Sequence, residues 1–429
     1  MSDAVNPEAK QVNEKLKKHR VDHLLLLVGK NPVPNAVAGR LLTNPYGKIS
    51  LIYTSDTADI ATKLQQWLLD YEFQPELQKV KAANPSLIIL GVREQLKKYK
   101  NLTIGLNYTG GTKAMSVHAF RAVEWWANTS DGKPIKAVFS YLDAPTLHLL
   151  FDPADPEGTS NVEAVYVGDA LELKLEELLK LHGWTLGKAP LRTAALPLTS
   201  KSLAKAFGDE KKSREWIGWK GKILDKRGKL KDSWRGKTDT IPLPPASLQT
   251  ISETLLSELD QTSESTINLD EAITKKRISN IDFFCEWIDG KWLEHCVLAI
   301  LHNLSAPLNL HSCAQNIVPR EVVFDLDVVA IRGYQLFAFS CSTDTEQSKG
   351  DRSQIKKKLF EAYIRARQLG GDEACVALIS CSKDPESLEK EMRRDYDLEG
   401  RIKVFGRKHF NDLSNNIQKW IKSQSGVGN

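Results

Sequence analysis

The stretch LNYTGGTKAMS, residues 106–116, limits the possible folds more than any other. An apolar strand pattern runs into Thr109-Gly110-Gly111-Thr112 and passes at once into a helical pattern. Paired glycines let a backbone turn sharply and bring ligand atoms close to its N–H groups. The N-terminus of the helix that follows adds unpaired donors and positive potential, and Lys113 adds a full charge. This is a phosphate-binding arrangement, but without the GxxxxGK[ST] spacing of an ATPase loop.

Around that turn, residues 20–155 alternate apolar runs with helical stretches. Strands are predicted at 24–28, 49–53 and 102–108, and helices at 57–71, onward to about 100, and at 112–128. Residues 135–142 and 147–152 read as a closing hairpin around Asp143-Ala144-Pro145-Thr146. Such alternation implies an α/β fold with a parallel sheet, whose ligands bind beyond the carboxyl ends of the strands. Two more polar loops fall at that edge. VGKNPVPNAVAG supplies Lys30, Asn31 and Asn35, and YTSDTAD supplies Ser55 and Thr57. Each alone reads better as a solvated loop; together they make a candidate site for an anionic ligand with several phosphates.

Residues 160–280 are less periodic. A helix is expected over 169–182 and another over 246–260, with the Pro-rich IPLPP at 241–245 breaking any continuous element between them. The stretch 201–237 carries thirteen Lys and Arg against five Asp and Glu, with Trp216, Trp219 and Trp234 interleaved. It reads either as a segment that tracks a phosphate backbone or as a solvated basic linker.

From 280 onward a second α/β unit is expected. A helix over 291–304 turns Leu293, Val297, Ile300, Leu301 and Leu304 to one face. Strands follow at about 312–319, 322–331 and 335–342, the last two joined by an Arg332-Gly333 turn. A basic helix from about 351 stops at Gly370-Gly371, and strands at 374–380 and 401–405 and a final helix complete the unit. Asp325 and Asp327 fall on one face of an apolar strand, where two carboxylates are costly unless paired or metal-bound.

Bulk properties narrow the class. At 429 residues the chain has room for two to three domains, and 41% hydrophobic with 26% charged residues is ordinary for a soluble globular protein. No apolar run approaches the ~18 residues of a membrane span, and the polar start MSDAVNPEAK does not read as a signal peptide, so a cytoplasmic location is expected. The six cysteines form no CxxC pair and read as reduced thiols, not a zinc site or disulfide framework.

The strand–NYTGGTK–helix unit, the VGKNPVPN loop and the C-terminal helix-plus-hairpin together resemble the CARF-domain nucleases of type III CRISPR defence. The resemblance spans nearly the whole chain and keeps the order of parts, although the middle matches only in position and rough length. It implies a Rossmann-like CARF domain at 1–158, a connector module at 159–280 and a PD-(D/E)xK, restriction-endonuclease-like domain at 281–429. It further implies that Lys30, Asn31, Asn35, Ser55, Thr109, Gly110, Gly111, Thr112 and Lys113 contact a cyclic oligoadenylate, usually cyclic tetra-adenylate, across a homodimer. Mg²⁺ or Mn²⁺ would be held by Glu294, in the family's WLE, by Asp327 at the core aspartate position and by its neighbour Asp325.

In one respect the sequence departs from the family. The hairpin position that carries the nuclease lysine is Ser342. A lysine from elsewhere would have to reach in, from Lys349 or from Lys356, Lys357 and Lys358, and Lys356 is taken as the replacement. The same basic run also reads as a solvated first helical turn. Otherwise metal alone suffices, or the activity is lost. His295 and His302 read as surface or packing residues. The leading expectation is thus a ligand-activated, metal-dependent nuclease cutting single-stranded RNA or DNA. A ligand-responsive binding module with a degenerate nuclease domain stands against it, and so does a transcription regulator using 201–237 on DNA.

Overall fold

The computed structural model of the chain describes residues 7–129, 136–153, 162–235, 239–344, 349–396 and 401–424. Helix α1 (Pro7–Leu16) leads into a seven-stranded sheet. Its strands are β1 (Val21–Leu27), β2 (Thr43–Tyr53), β3 (Gln74–Lys79), β4 (Ile104–Asn107), β5 (Ala137–Asp143), β6 (His148–Phe151) and β7 (Glu163–Tyr166), in the order β3-β2-β1-β4-β5-β6-β7. The first five are parallel, and β6 and β7 are antiparallel additions.

Strand β1, VDHLLLL, is buried on both faces because it is central. Leu24 and Leu26 pack with Val37 and Leu41 of α2 (Val33–Leu42) and with Leu64 and Trp67 of α3 (Ala58–Leu69). Leu25 and Leu27 point the other way, toward Val92 and Leu96 of α4 (Pro85–Lys98) and Met115 and Val123 of α5 (Lys113–Thr129). The period-two alternation of a strand thus seats one helical layer on each side. Two strands depart from the expected pattern. β3, QPELQK, lies where a helix was expected, since an edge strand needs little apolar surface. β7 lies past the boundary expected at 158 and completes the N-terminal sheet.

Helix α6 (Leu175–His182) then packs beside α3, followed by α7 (Pro197–Phe207), α8 (Glu210–Ile223), α9 (Gln249–Leu259), α10 (Leu269–Thr274) and α11 (Ile281–Glu286). The Pro-rich segment does not simply break the chain. Ile241 sits in β8 (Thr240–Pro242), which pairs antiparallel with β9 (Thr266–Asn268). Trp216 and Trp219 are core residues, clustered with Phe207 and Trp292 and only 1% and 4% exposed. They are therefore not bases' stacking partners, and the middle region shares one apolar core with the C-terminal domain.

That domain opens with a π-helical turn (Trp287–Lys291) feeding α12 (Trp292–Leu308). A five-stranded sheet follows, in the order β10 (Leu310–Ile317), β11 (Leu326–Arg332), β12 (Gln335–Ser342), β13 (Cys375–Ser380) and β14 (Ile402–Phe405). Helices α13 (Lys349–Gly370), α14 (Pro385–Tyr396) and α15 (Leu413–Ser423) cover it. β11 begins at Leu326 and not at 322, so Asp325 precedes the strand. The tip of the β11–β12 hairpin rests on the N-terminal domain. Gly333 has φ +56°, and a Cβ there would lie 1.7 Å from the Gly168 carbonyl oxygen, so only glycine fits. Next to it, Arg332 makes two 2.8 Å hydrogen bonds to the buried Asp169 carboxylate.

Candidate functional site

The first candidate site lies at the carboxyl edge of the N-terminal sheet. β1 pairs with β2 on one side and β4 on the other, and the chain leaves β1 and β4 in opposite directions, which opens a crevice between their loops. The two loops are in contact. A Cβ on Gly110 would lie 2.2 Å from the Leu27 carbonyl oxygen, and one on Gly29 would lie 3.2 Å from the Gly111 nitrogen. Gly111 itself adopts φ +77°. The Thr112 hydroxyl accepts from Met115 N at 3.2 Å and so caps α5, while Lys113 is exposed in its first turn.

The structure brings most of the expected ligand residues together here but divides their roles. Lys30, Ser55, Gly111, Thr112 and Lys113 are exposed, Ser55 at the end of β2. Thr109 is engaged internally: its hydroxyl donates to Asn107 Oδ1 at 2.8 Å and accepts from Leu142 N at 2.7 Å. Asn35 is fully buried and donates to the Leu27 carbonyl at 3.0 Å. It braces the crevice from beneath and is not open to a ligand, contrary to the expectation. Asn31 accepts from Val33 N at 3.0 Å and turns its amide nitrogen to Gly371, where a Cβ would meet it at 1.8 Å. The loop after β1 therefore touches the C-terminal domain directly.

The second candidate site is built by α12 and the β11–β12 hairpin. Glu294 stands in the first turn of α12 and accepts a 2.9 Å hydrogen bond from Gln315 Nε2 of β10. Burial, then the nearby Asp327 carboxylate, pushes the Glu294 carboxyl up to about 8. Asp327 faces Ser340 across the hairpin, and its Oδ2 accepts from Cys341 N at 2.8 Å and from the Ser340 hydroxyl at 3.4 Å. Burial also raises this carboxyl, against those two donors. Asp325 is different: it is exposed and bound to Arg365 Nη1 at 2.9 Å. It influences the pair only by its charge.

The lysine at this site is Lys358. Its Nζ is 3.2 Å from the Ser342 hydroxyl and 2.9 Å from Asp344 Oδ2, and the Ser342 hydroxyl donates to the same Asp344 oxygen at 2.8 Å. Lys356, the expected replacement, is turned away, paired with Glu391 at 2.5 Å and Asp395 at 3.8 Å. Lys357 pairs along the helix with Glu361, and the side chain of Lys349 lies outside the described residues. His295 is buried packing and accepts from Ala195 N, and His302 is a surface residue bonded to the Arg192 carbonyl. Sequence reasoning missed Gln315, which lies in an apolar strand, and Asp344, which follows the hairpin in a polar run.

Among the described residues, no group of three or more His, Cys, Asp or Glu is placed to hold a metal ion. The acids present are nonetheless short of positive charge. Two half-buried carboxylates, with Asp327 adding to the proton affinity of Glu294, fit one hard divalent cation, which commonly takes one or two carboxylates and fills its remaining positions with water and phosphate oxygens. All six cysteines are free, and no described helix is long and apolar enough to cross a membrane.

An α/β chain with a crevice at the switch point of a mostly parallel sheet, joined to a five-stranded sheet bearing a hairpin and an acid-carrying helix, has the architecture expected of a CARF-domain nuclease. Solved structures share that architecture, although neither a protein-family model nor a curated protein matches the sequence. Protein VC1899 from Vibrio cholerae aligns with a TM-score of 0.64 and 16% identity over 94% of this chain and 99% of its own. Can2 from Sulfobacillus thermosulfidooxidans, solved in complex with cyclic tetra-adenylate, aligns at 0.62 and 18% identity over 96% and 99%.

Proposed function

We propose that this chain is a cyclic-oligoadenylate-activated, metal-dependent endonuclease that cuts single-stranded RNA or DNA as a cytoplasmic homodimer. The observation that carries the reading is Lys358, whose ammonium stands 3.2 Å from the serine at the position where a nuclease lysine is missing. In this reading Glu294 and Asp327 would hold Mg²⁺ or Mn²⁺, which would supply acidification of the attacking water and positive charge against the phosphate. Gln315 holds the Glu294 carboxylate in orientation. Lys358, steadied by Ser342 and Asp344, supplies the positive charge that develops no penalty of reorganisation when the phosphate gains negative charge.

The N-terminal crevice supports a ligand carrying several phosphates, with Lys30, Gly111, Thr112 and Lys113 offering exposed donors, and the fold is that of Can2, solved with cyclic tetra-adenylate. The homodimer is supported by an apolar face on the paired helices α4 and α5, where Leu87, Leu90, Val117 and Trp125 are 43%, 52%, 55% and 48% exposed. A second copy covering that face would bring two Gly110–Lys113 turns, each at the start of an α5 helix, toward one ring of phosphates.

The test compares wild type and Asp327→Ala with Mn²⁺, on single-stranded RNA and on plasmid DNA, with and without cyclic tetra-adenylate. Ligand-dependent cutting by the wild type alone is expected, with ligand affinity unchanged in the variant. Cutting at the wild-type rate by Asp327→Ala overturns the assigned site. Tight ligand binding with no cutting by either form overturns the enzyme reading in favour of a binding module.

A further inference from the structure

Between α11 and α12 the residues WIDGK, Trp287–Lys291, form one π turn. Its wider spacing shows in the side chains, since Glu286 and Lys291, five residues apart, pair at 2.7 Å. A helix advances by about 100° per residue, so the extra residue of a π turn swings every later side chain by that angle. With one residue fewer, Glu294 would point about a quarter turn away from Gln315 of β10. No side chain caps the start of α12, so the direction of Glu294 depends on how this turn is held.

The middle region holds it. The helical path breaks at Gly290, where φ is 170° and ψ is −21°. Just before the break, the Asp289 carbonyl accepts from Lys220 Nζ of α8 at 3.1 Å, and the same ammonium binds Asp289 Oδ1 at 2.8 Å. The other carboxylate oxygen lies against Gly228, in the turn after α8, where a Cβ would come within 3.0 Å of it. On the far side of the π turn, a Cβ on Gly290 would lie 2.9 Å from Thr343 Oγ1, next to Ser342. The turn is thus clamped between α8 and the end of β12, where Lys358 stands.

The clamp is electrically close to the site as well. Burial and the Asp327 charge raise the Glu294 carboxyl, while Gln315 and the charge of Lys291 draw it down. Burial raises the Asp344 carboxyl too, but Lys358, Ser342 and the charge of Lys220 outweigh it. Among the described residues, Lys220 forms its ion pair with Asp289 and with neither acid of the site.

We infer that Lys220 is a positioning residue of the nuclease site. By holding the turn at Asp289 it sets the phase of α12 and keeps the Glu294 carboxylate beside Asp327, so that the middle region completes the site. This rests on the nuclease reading of that site.

The experiment uses the full chain with Mn²⁺, cyclic tetra-adenylate and labelled single-stranded RNA and DNA. Wild type is compared with Lys220→Met, Lys220→Arg and a control on the exposed side of α8, Lys222→Met. Calorimetric titration of Mn²⁺, with Asp327→Ala as the blank, gives a second readout that does not depend on cutting. Lys220→Met is expected to lower kcat by about tenfold or more with KM within about twofold, and to weaken Mn²⁺ binding several-fold. Lys220→Arg, which keeps donors for both Asp289 oxygens, should restore both readouts, and Lys222→Met should match wild type. A Lys220→Met protein that melts lower but keeps wild-type kcat and Mn²⁺ affinity overturns the inference, because the ion pair is then structural only. A loss confined to KM overturns it too, since Lys220 then touches the strand itself. If no form cuts while Lys220→Met still weakens Mn²⁺ binding, the positioning role stands and the nuclease reading is what failed. Wild type that neither binds Mn²⁺ nor cuts overturns both.

Discussion

Lys356 and Lys358 are two residues apart on α13, and on a helix that spacing sends side chains to different sides. One reaches Glu391 and Asp395 on α14, and the other reaches the hairpin. The acids Glu294 and Asp327 were legible in the sequence because a carboxylate in an apolar helix or strand stands out. The choice among four lysines was not legible, since it depends on the rotation of α13 about its axis against β12. Asp325 misled for a related reason: strand parity assumed a strand that begins four residues later than predicted. At this scale Lys113→Ala is expected to weaken cyclic tetra-adenylate binding by about tenfold, the loss of one exposed charge-assisted contact, with the melting temperature unchanged. Calorimetric titration measures it.

Among elements, the strand–turn–helix unit around Gly110 was the most legible part of the chain, because a tight approach of two loops demands glycine whatever surrounds it. The edge strands β3 and β7 were the least legible. A strand paired on one side and partly wet carries no clear apolar period. Gly110→Ala sets a methyl group 2.2 Å from the Leu27 carbonyl oxygen, which is backbone and cannot swing aside. The loops of β1 and β4 must then part. A destabilisation of about 1–3 kcal/mol is expected, together with loss of ligand binding, read by chemical denaturation and titration. The neighbouring Ala114→Gly would share neither the clash nor the loss of the crevice.

In the whole molecule, the N-terminal sheet and the segment that follows it meet the C-terminal domain through polar contacts that no one-dimensional pattern announces. Arg332 grips Asp169, His182 bonds to the Leu369 carbonyl at 2.8 Å, and Asn31 lies against Gly371. The hairpin carrying Asp327 and Ser342 is thus anchored at its tip on the segment that follows β7. Arg332→Ala leaves the Asp169 carboxylate buried, and a loss of about 3 kcal/mol or more in stability is expected. Ligand-dependent activation should fall more than ligand affinity.

Two residues beyond Gly371, Glu373 is fully buried, and neither of its carboxylate oxygens has a partner among the described residues. Burial, only partly offset by the nearby Glu373 N–H and by the charges of Arg401 and Arg367, pushes its carboxyl up to about 7. The folded chain therefore keeps this proton where the unfolded chain has released it. Its contribution to stability is full below the ordinary carboxyl range and is lost as pH rises toward 7. With chelator present, Glu373→Gln should melt higher than wild type at about pH 8, and the gap should close toward pH 5. A gap independent of pH would contradict this.

The most direct measurement is single-turnover cleavage of single-stranded RNA and DNA by wild type, Lys358→Ala and Lys356→Ala, with Mn²⁺ and saturating cyclic tetra-adenylate. The wild type should cut only with the ligand, Lys358→Ala should be slower by on the order of 10²-fold, and Lys356→Ala should stay within a few-fold of wild type. Equal rates for Lys358→Ala and wild type, or wild type that binds the ligand and cuts nothing, would contradict a nuclease whose missing lysine is supplied by α13.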